Sequence, residues 1–170
     1  VRTGTQLAAL EMIRSGTTTF ADMYYFEEEV ARAASEAGLR GVLGETIVKF
    51  PVPGAKTPEE GLARTEKFLV QWKGHALITP AVAPHALYTL EAATLKACRA
   101  LADKHQVPLI IHLAETRAEV DAALTLANAT PTQYLQGVGL WGGRTLAAHG
   151  VWVSPEDMTL LKAAGVAVSH

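Results

Sequence analysis

Apolar residues along this chain fall into short uninterrupted runs, each followed by a longer stretch in which apolar and charged residues recur at helical spacing. Residues 3–15 read as a helix. "TTTFADMY" (17–24) reads as a strand, and "FEEEVARAASEAG" (26–38) as a helix with acidic residues in its first turn and glycine at its end. The strand "LRGVLGETIV" (39–48) leads through a two-proline loop to a helix over 58–73, with Pro58 in its first turn. Residues 76–84 read as extended, 89–105 as a long helix, 107–113 as a strand, and the region around 117–128 as a helix. "TPTQYLQGVG" adds a short helical turn, "TLAAHGVWV" (145–153) a strand, "SPEDMTLLKAAG" (154–165) a capped helix, and "VAVSH" (166–170) a last strand.

The strand runs are apolar at successive positions rather than alternating, as parallel strands buried on both faces are. Repeated strand–helix units of this kind specify an α/β fold. Two architectures accommodate them, an open doubly wound sheet and a (β/α) barrel. Length favours the open sheet, because a barrel takes about 250 residues. The two ends favour the barrel: the chain starts within a helix and stops at His170, where a strand should pass into its loop. We therefore expect one partial domain over 1–170, a TIM-like (β/α)8 barrel fragment of about six βα units that lacks the first and last strands. Its unpaired strand edges should seek another chain, so a homo-oligomer is an expected assembly.

The composition narrows the functional classes. Hydrophobic residues make up 49% of the 170 positions and charged ones 19%, which suits a packed core and not a disordered chain. A formal charge of −2 offers nothing for nucleic acid or a membrane surface. No apolar run is long enough to span a bilayer, and no secretory signal pattern opens the chain. The single cysteine, Cys98, lies in an amphipathic helical stretch and reads as packing; it suits a reducing, cytoplasmic setting.

Chemistry concentrates in four of the six histidines. His75 precedes a strand and His105 closes a helix, so both read as surface residues. His85, His112, His149 and His170 each stand at or just past the C-terminal end of a predicted strand, in four successive strands. In a parallel barrel those ends converge on one mouth, where catalysis occurs. Any one of them could simply bond a neighbouring loop; together they favour a metal or a polar substrate, for which neutral imidazole is suited. Glu115, three residues beyond His112, could point back over that mouth. There it could carry protons to and from a water activated by a metal, or it could be a glutamate favoured by the dipole of the following helix. "GVGLWG" (Gly137, Gly139, Gly142) matches a dinucleotide-binding spacing, but a helix precedes it and a strand follows, the reverse of what that motif requires.

Five ordered segments, "SGTTTFADMYY", "APHALYT", "HLAET", "AAHGVW" and the final "VSH", resemble the metal-dependent amidohydrolase superfamily. The nearest branch is that of the chlorohydrolase-like deaminases, which includes the 5-methylthioadenosine/S-adenosylhomocysteine deaminases. The resemblance implies a (β/α)8 barrel with one zinc (sometimes iron) that deaminates an aminated heterocycle, a small-molecule substrate such as an adenine derivative. It implies that His112 is the fifth-strand metal ligand and Glu115 the proton carrier. His149 would be the sixth-strand histidine that orients the attacking hydroxide, and His85 a substrate contact; His170 would open the seventh-strand segment, with no role assigned. The family's first-strand H-x-H pair and eighth-strand aspartate do not occur in these residues, so the 170 residues by themselves are expected to hold zinc poorly. Where some members place an arginine for a substrate carboxylate, this chain reads "GETIVKFPVP", which leaves other aminated rings open beside S-adenosylhomocysteine. The alternatives are hydrolysis of chloride or an alkylamine from a triazine-like ring, and a barrel fragment without catalysis.

Overall fold

The structure, a computed structural model, describes residues 1–170. Helix α1 (Arg2–Arg14) precedes strand β1 (Thr19–Tyr24), α2 (Glu27–Ala37), β2 (Arg40–Ile47) and α3 (Pro58–Gln71). Two short strands follow, β3 (Ile78–Pro80) and β4 (Ala83–Pro84), then a 3-10 turn (Leu87–Thr89) and α4 (Ala92–His105). The remainder is β5 (Leu109–Leu113), α5 (Arg117–Ala127), α6 (Pro131–Val138), β6 (Thr145–His149), α7 (Pro155–Ala163) and β7 (Ala167–Ser169). Helix starts follow from their capping residues. Thr57, Thr116, Thr130 and Ser154 each accept a backbone N–H from the first turn, and three of these caps are followed by proline.

Every strand pairing is parallel, and the strands lie side by side in chain order. Strands β1 to β4 form one ladder and β5 to β7 another. Val82 joins the two: its carbonyl accepts from Ile110 N–H and its N–H donates to the Pro108 carbonyl, both at 2.9 Å. The His85 carbonyl extends the seam by accepting from His112 N–H at 2.9 Å. A doubly wound sheet reverses its strand order at a switch point. This sheet never reverses, so it winds in one direction, as a barrel wall does.

The structure corrects three of the expected elements. The extended run 76–84 is broken into β3 and β4, because Pro80 and Pro84 have no amide hydrogen to give to a ladder. Strand β2 spans the break, pairing with β3 through Gly41–Leu43 and with β4 through Thr46–Ile47. Gly44 makes this approach possible, since a Cβ there would lie 2.6 Å from that of Ala83. Second, the expected strand 145–153 ends at His149, where a φ of +77° turns the chain out of the sheet. Third, His105 is not a free surface residue: its ring is mostly covered and bonds Glu66 at 2.9 Å.

The core lies between the central strands and the helices outside them. Ile47, Val82, Leu109, Ile111, Leu113 and Ala147 from the sheet meet Leu69, Leu95, Cys98 and Leu135 from the helices, all buried. Cys98 is packing material, its thiol pushed up to about 12 by burial. Strand β5 is almost wholly buried, whereas β7 is exposed along its length. No helix is long and apolar enough to cross a membrane.

Candidate active site

The C-terminal ends of β4, β5 and β6 carry three imidazoles into mutual contact. His85 follows β4, His112 is the fourth residue of β5, and His149 ends β6. The rings of His85 and His112 meet edge to face at 4.9 Å between centroids, and those of His112 and His149 stack at 5.0 Å. A 3.0 Å hydrogen bond links His149 Nε2 to His112 Nδ1. His85 is held from below by a 3.1 Å contact between its Nδ1 and Thr89 Oγ1. His170, past the end of β7, reaches the same row from the side, its Nδ1 bonding the His149 carbonyl at 2.9 Å.

Burial favours the neutral form of two of these rings, His85 and His112. Desolvation lowers the pKa of His85, and desolvation together with the neighbouring His85 and His149 lowers that of His112. The Glu115 carboxylate opposes both shifts without reversing them. A neutral imidazole presents a lone pair, the form in which it binds a metal or accepts a hydrogen bond.

Glu115 stands in the turn between β5 and α5. Its Oε2 lies 3.8 Å from His149 Nε2, and its side chain is about half exposed. Two residues in this region hold backbone conformations that non-glycine side chains rarely adopt, Ala114 at φ +48° and His149 at φ +77°. The turns they make bring Glu115 and His149 together. The predicted residues Glu115, His149, His85 and His112 therefore form one cluster, with His170 at its margin.

Two neighbours escaped the sequence reading. Tyr88 packs edge-on against His85 at 5.9 Å, on the 3-10 turn after β4. Glu119, in the first turn of α5, is buried and binds the turn that bears Glu115. The spacing Thr116-x-x-Glu119 is a capping-box pattern and was the available signal. The glycines of "GVGLWG" lie between α6 and β6, with Gly139 as the helix C-cap.

As a metal site the donors are right in kind and too few. Imidazole and carboxylate suit zinc, yet no three His, Cys, Asp or Glu side chains are grouped so as to hold an ion, and catalytic zinc takes about three protein ligands.

The model of the amidohydrolase family matches residues 1–170. A 5-methylthioadenosine/S-adenosylhomocysteine deaminase of Thermodesulfovibrio yellowstonii is 43% identical over 170 residues, which is all of this chain and 39% of that protein. The protein of the same name from Syntrophobacter fumaroxidans is 47% identical over 98% of this chain and 38% of its own length. Among solved structures, an adenosine deaminase from Xanthomonas campestris with bound zinc superposes with a TM-score of 0.94 at 34% identity, over 98% of this chain and 38% of that one. The chain thus spans well under half the length of these relatives.

Proposed function

Since the chain belongs to the amidohydrolase family, we propose that its protein is a metal-dependent deaminase that replaces the amino group of an aminated heterocycle with oxygen. The substrate class we favour is an adenine derivative, such as 5-methylthioadenosine or S-adenosylhomocysteine, on the strength of the two deaminase relatives. In this reading the 170 residues supply the second to seventh strands of a (β/α)8 barrel, as one partial domain. The observation that carries it is the row of three touching imidazoles with Glu115 3.8 Å from the last of them.

The metal is zinc, with iron as the alternative, and His112 is its ligand from this chain; the other ligands come from outside these residues. Bound there, the metal would lower the pKa of a water to about 7 and so supply a nucleophile. The chain's own residues do the rest. Glu115 takes one proton from the attacking water and gives it to the ring nitrogen, then carries the second, from the newly added hydroxyl, to the departing amino group. A C–O bond forms, the C–N bond breaks, and ammonia leaves. His149, fixed by its bond to His112, orients the attacking oxygen, and His85 faces the substrate ring from the other side. The buried, unpaired thiol of Cys98 suits a cytoplasmic enzyme.

Glu115→Gln in the complete, metal-loaded protein tests this reading. The change keeps the shape and removes the proton carrier, so turnover of an adenine nucleoside, followed by ammonia release, should fall about 10²-fold or more. Turnover equal to that of the wild type would overturn the role of Glu115.

A further inference from the structure

We infer that Glu119 is a positioning residue for Glu115, a role that rests on the proton-carrier reading of Glu115 given above. Glu119 is 2% exposed, although it sits in the first turn of a helix where glutamates are usually solvated. Its two carboxylate oxygens accept from two successive backbone amides. Oε1 takes the N–H of Ala114 and Oε2 that of Glu115, each at 3.0 Å.

The molecule contains its own controls. In α6 and α7 the residue at the same helical position, Gln133 or Asp157, reaches back to the amide of the capping residue itself, Thr130 or Ser154. That is the ordinary capping box. Glu119 has the same box partner, since Thr116 Oγ1 accepts its N–H at 3.3 Å. Its carboxylate nonetheless passes over the Thr116 amide and takes the two before it. Two consecutive amides can converge on one anion only if the backbone bends into a nest, and the left-handed Ala114 at φ +48° provides that bend.

The opposite side of the turn is tied as well. The Ala114 carbonyl accepts from Trp152 N–H at 3.0 Å, and the Leu113 carbonyl from Gly150 N–H at 2.9 Å. The backbone that bears Glu115 is thus fixed from α5 and from the loop after β6, while the Glu115 side chain itself makes no hydrogen bond. Its aim at His149 is set by its backbone. A capping box alone does not need a carboxylate here, as Gln133 demonstrates in α6. Taking two N–H donors on two separate oxygens does need one, and this accounts for a buried glutamate whose pKa burial raises.

The test compares Glu119→Gln, Glu115→Gln and the double variant Glu119→Gln with Ala114→Gly, all in the complete metal-loaded protein. Glu119→Gln keeps one acceptor and sets an NH2 against the other amide. It should lower kcat by about 10- to 100-fold, since an ångström of misplacement can cost about 10²-fold, with KM and metal content unchanged. Amide hydrogen exchange at residues 114 and 115 should accelerate in the same variant. Glycine adopts a positive φ without strain, so the double variant should recover any lost melting temperature while kcat stays low. Wild-type kcat in Glu119→Gln, or full recovery of kcat in the double variant, would overturn the inference; so would failure of both variants to fold. An active Glu115→Gln would instead remove the reading on which the inference rests. An inactive Glu115→Gln beside a fully active Glu119→Gln would remove only the positioning role.

Discussion

Two groups of titratable side chains stand at the C-terminal ends of the strands, and they have opposite fates. At β4 to β6, His85, His112, His149 and Glu115 follow one another in a row, stay partly open to solvent and share one hydrogen bond between rings. At β1 and β2, Asp22, Glu27 and Glu45 are gathered beneath the start of α2. Glu45 is buried, accepts the Glu27 N–H at 3.1 Å and is paired with Arg64 at 2.8 Å. Glu27 is completely buried, and burial together with the charges of Asp22 and Glu45 pushes its pKa up to about 9 against the opposing effect of the Tyr24 backbone amide. Strained backbone does not separate the two corners, because Phe26 beside Glu27 also has a positive φ, +61°. Access does. His85 and His112, whose charged forms partial burial disfavours, can still bind a metal or a substrate, whereas a sealed carboxylate can only be neutral or destabilising.

The largest effect should come from breaking the open corner. His112→Ala removes the one ligand assigned to this chain, and loss of a metal ligand should exceed the roughly 100-fold in affinity that outer partners of a ligand can carry. Metal content after dialysis would read it, with circular dichroism to show that the half-buried site still folds. One metal per chain retained at wild-type affinity would make the histidine row a packing feature.

The sealed corner should respond to pH instead. The pKa of Glu27 is about 9 in the folded protein against an ordinary value of 4.5, so folding takes up a proton. The stability tied to this group is complete below about pH 4.5 and is lost as pH rises towards about 9. Glu27→Gln abolishes the titration. Its stability relative to the wild type should therefore grow with pH across that window, by up to about 1.4 kcal/mol per unit. Denaturant melts at three pH values suffice, and parallel curves for the two proteins would show that Glu27 does not carry the buried proton.

The two corners were not equally legible in the sequence. The histidines were readable because uninterrupted apolar runs mark buried parallel strands, and the C-terminal ends of such runs share one face of the sheet. Glu27 carries a signal of its own burial. It shares a helix face with Val30, Ala31 and Ala34, all buried, yet an acid in a first turn has a sufficient explanation in the helix dipole. The break between β3 and β4 was foreshadowed by Pro80 and Pro84. The left-handed turn at Ala114 has no local signal, since alanine does not prefer that conformation; contacts from α5 and from the loop after β6 impose it.

The smallest expected effect concerns the cation that closes the acidic corner. Arg64 serves two partners: it pairs with Glu45, and its guanidinium lies 5.5 Å from the centre of the Phe26 ring. Arg64→Lys keeps a positive charge beside Glu45 and gives up the planar contact with the ring. The loss should be about 0.5–1 kcal/mol, the scale of a partly exposed cation–π contact, and thermal melting would resolve it. The slope of stability against pH should not change, because the proton resides on Glu27 and Arg64 does not bond it. A steeper slope in Arg64→Lys would mean that guanidinium geometry governs the charge of all three carboxylates. The acidic corner would then be a single coupled unit, closer in kind to the histidine row than its burial suggests.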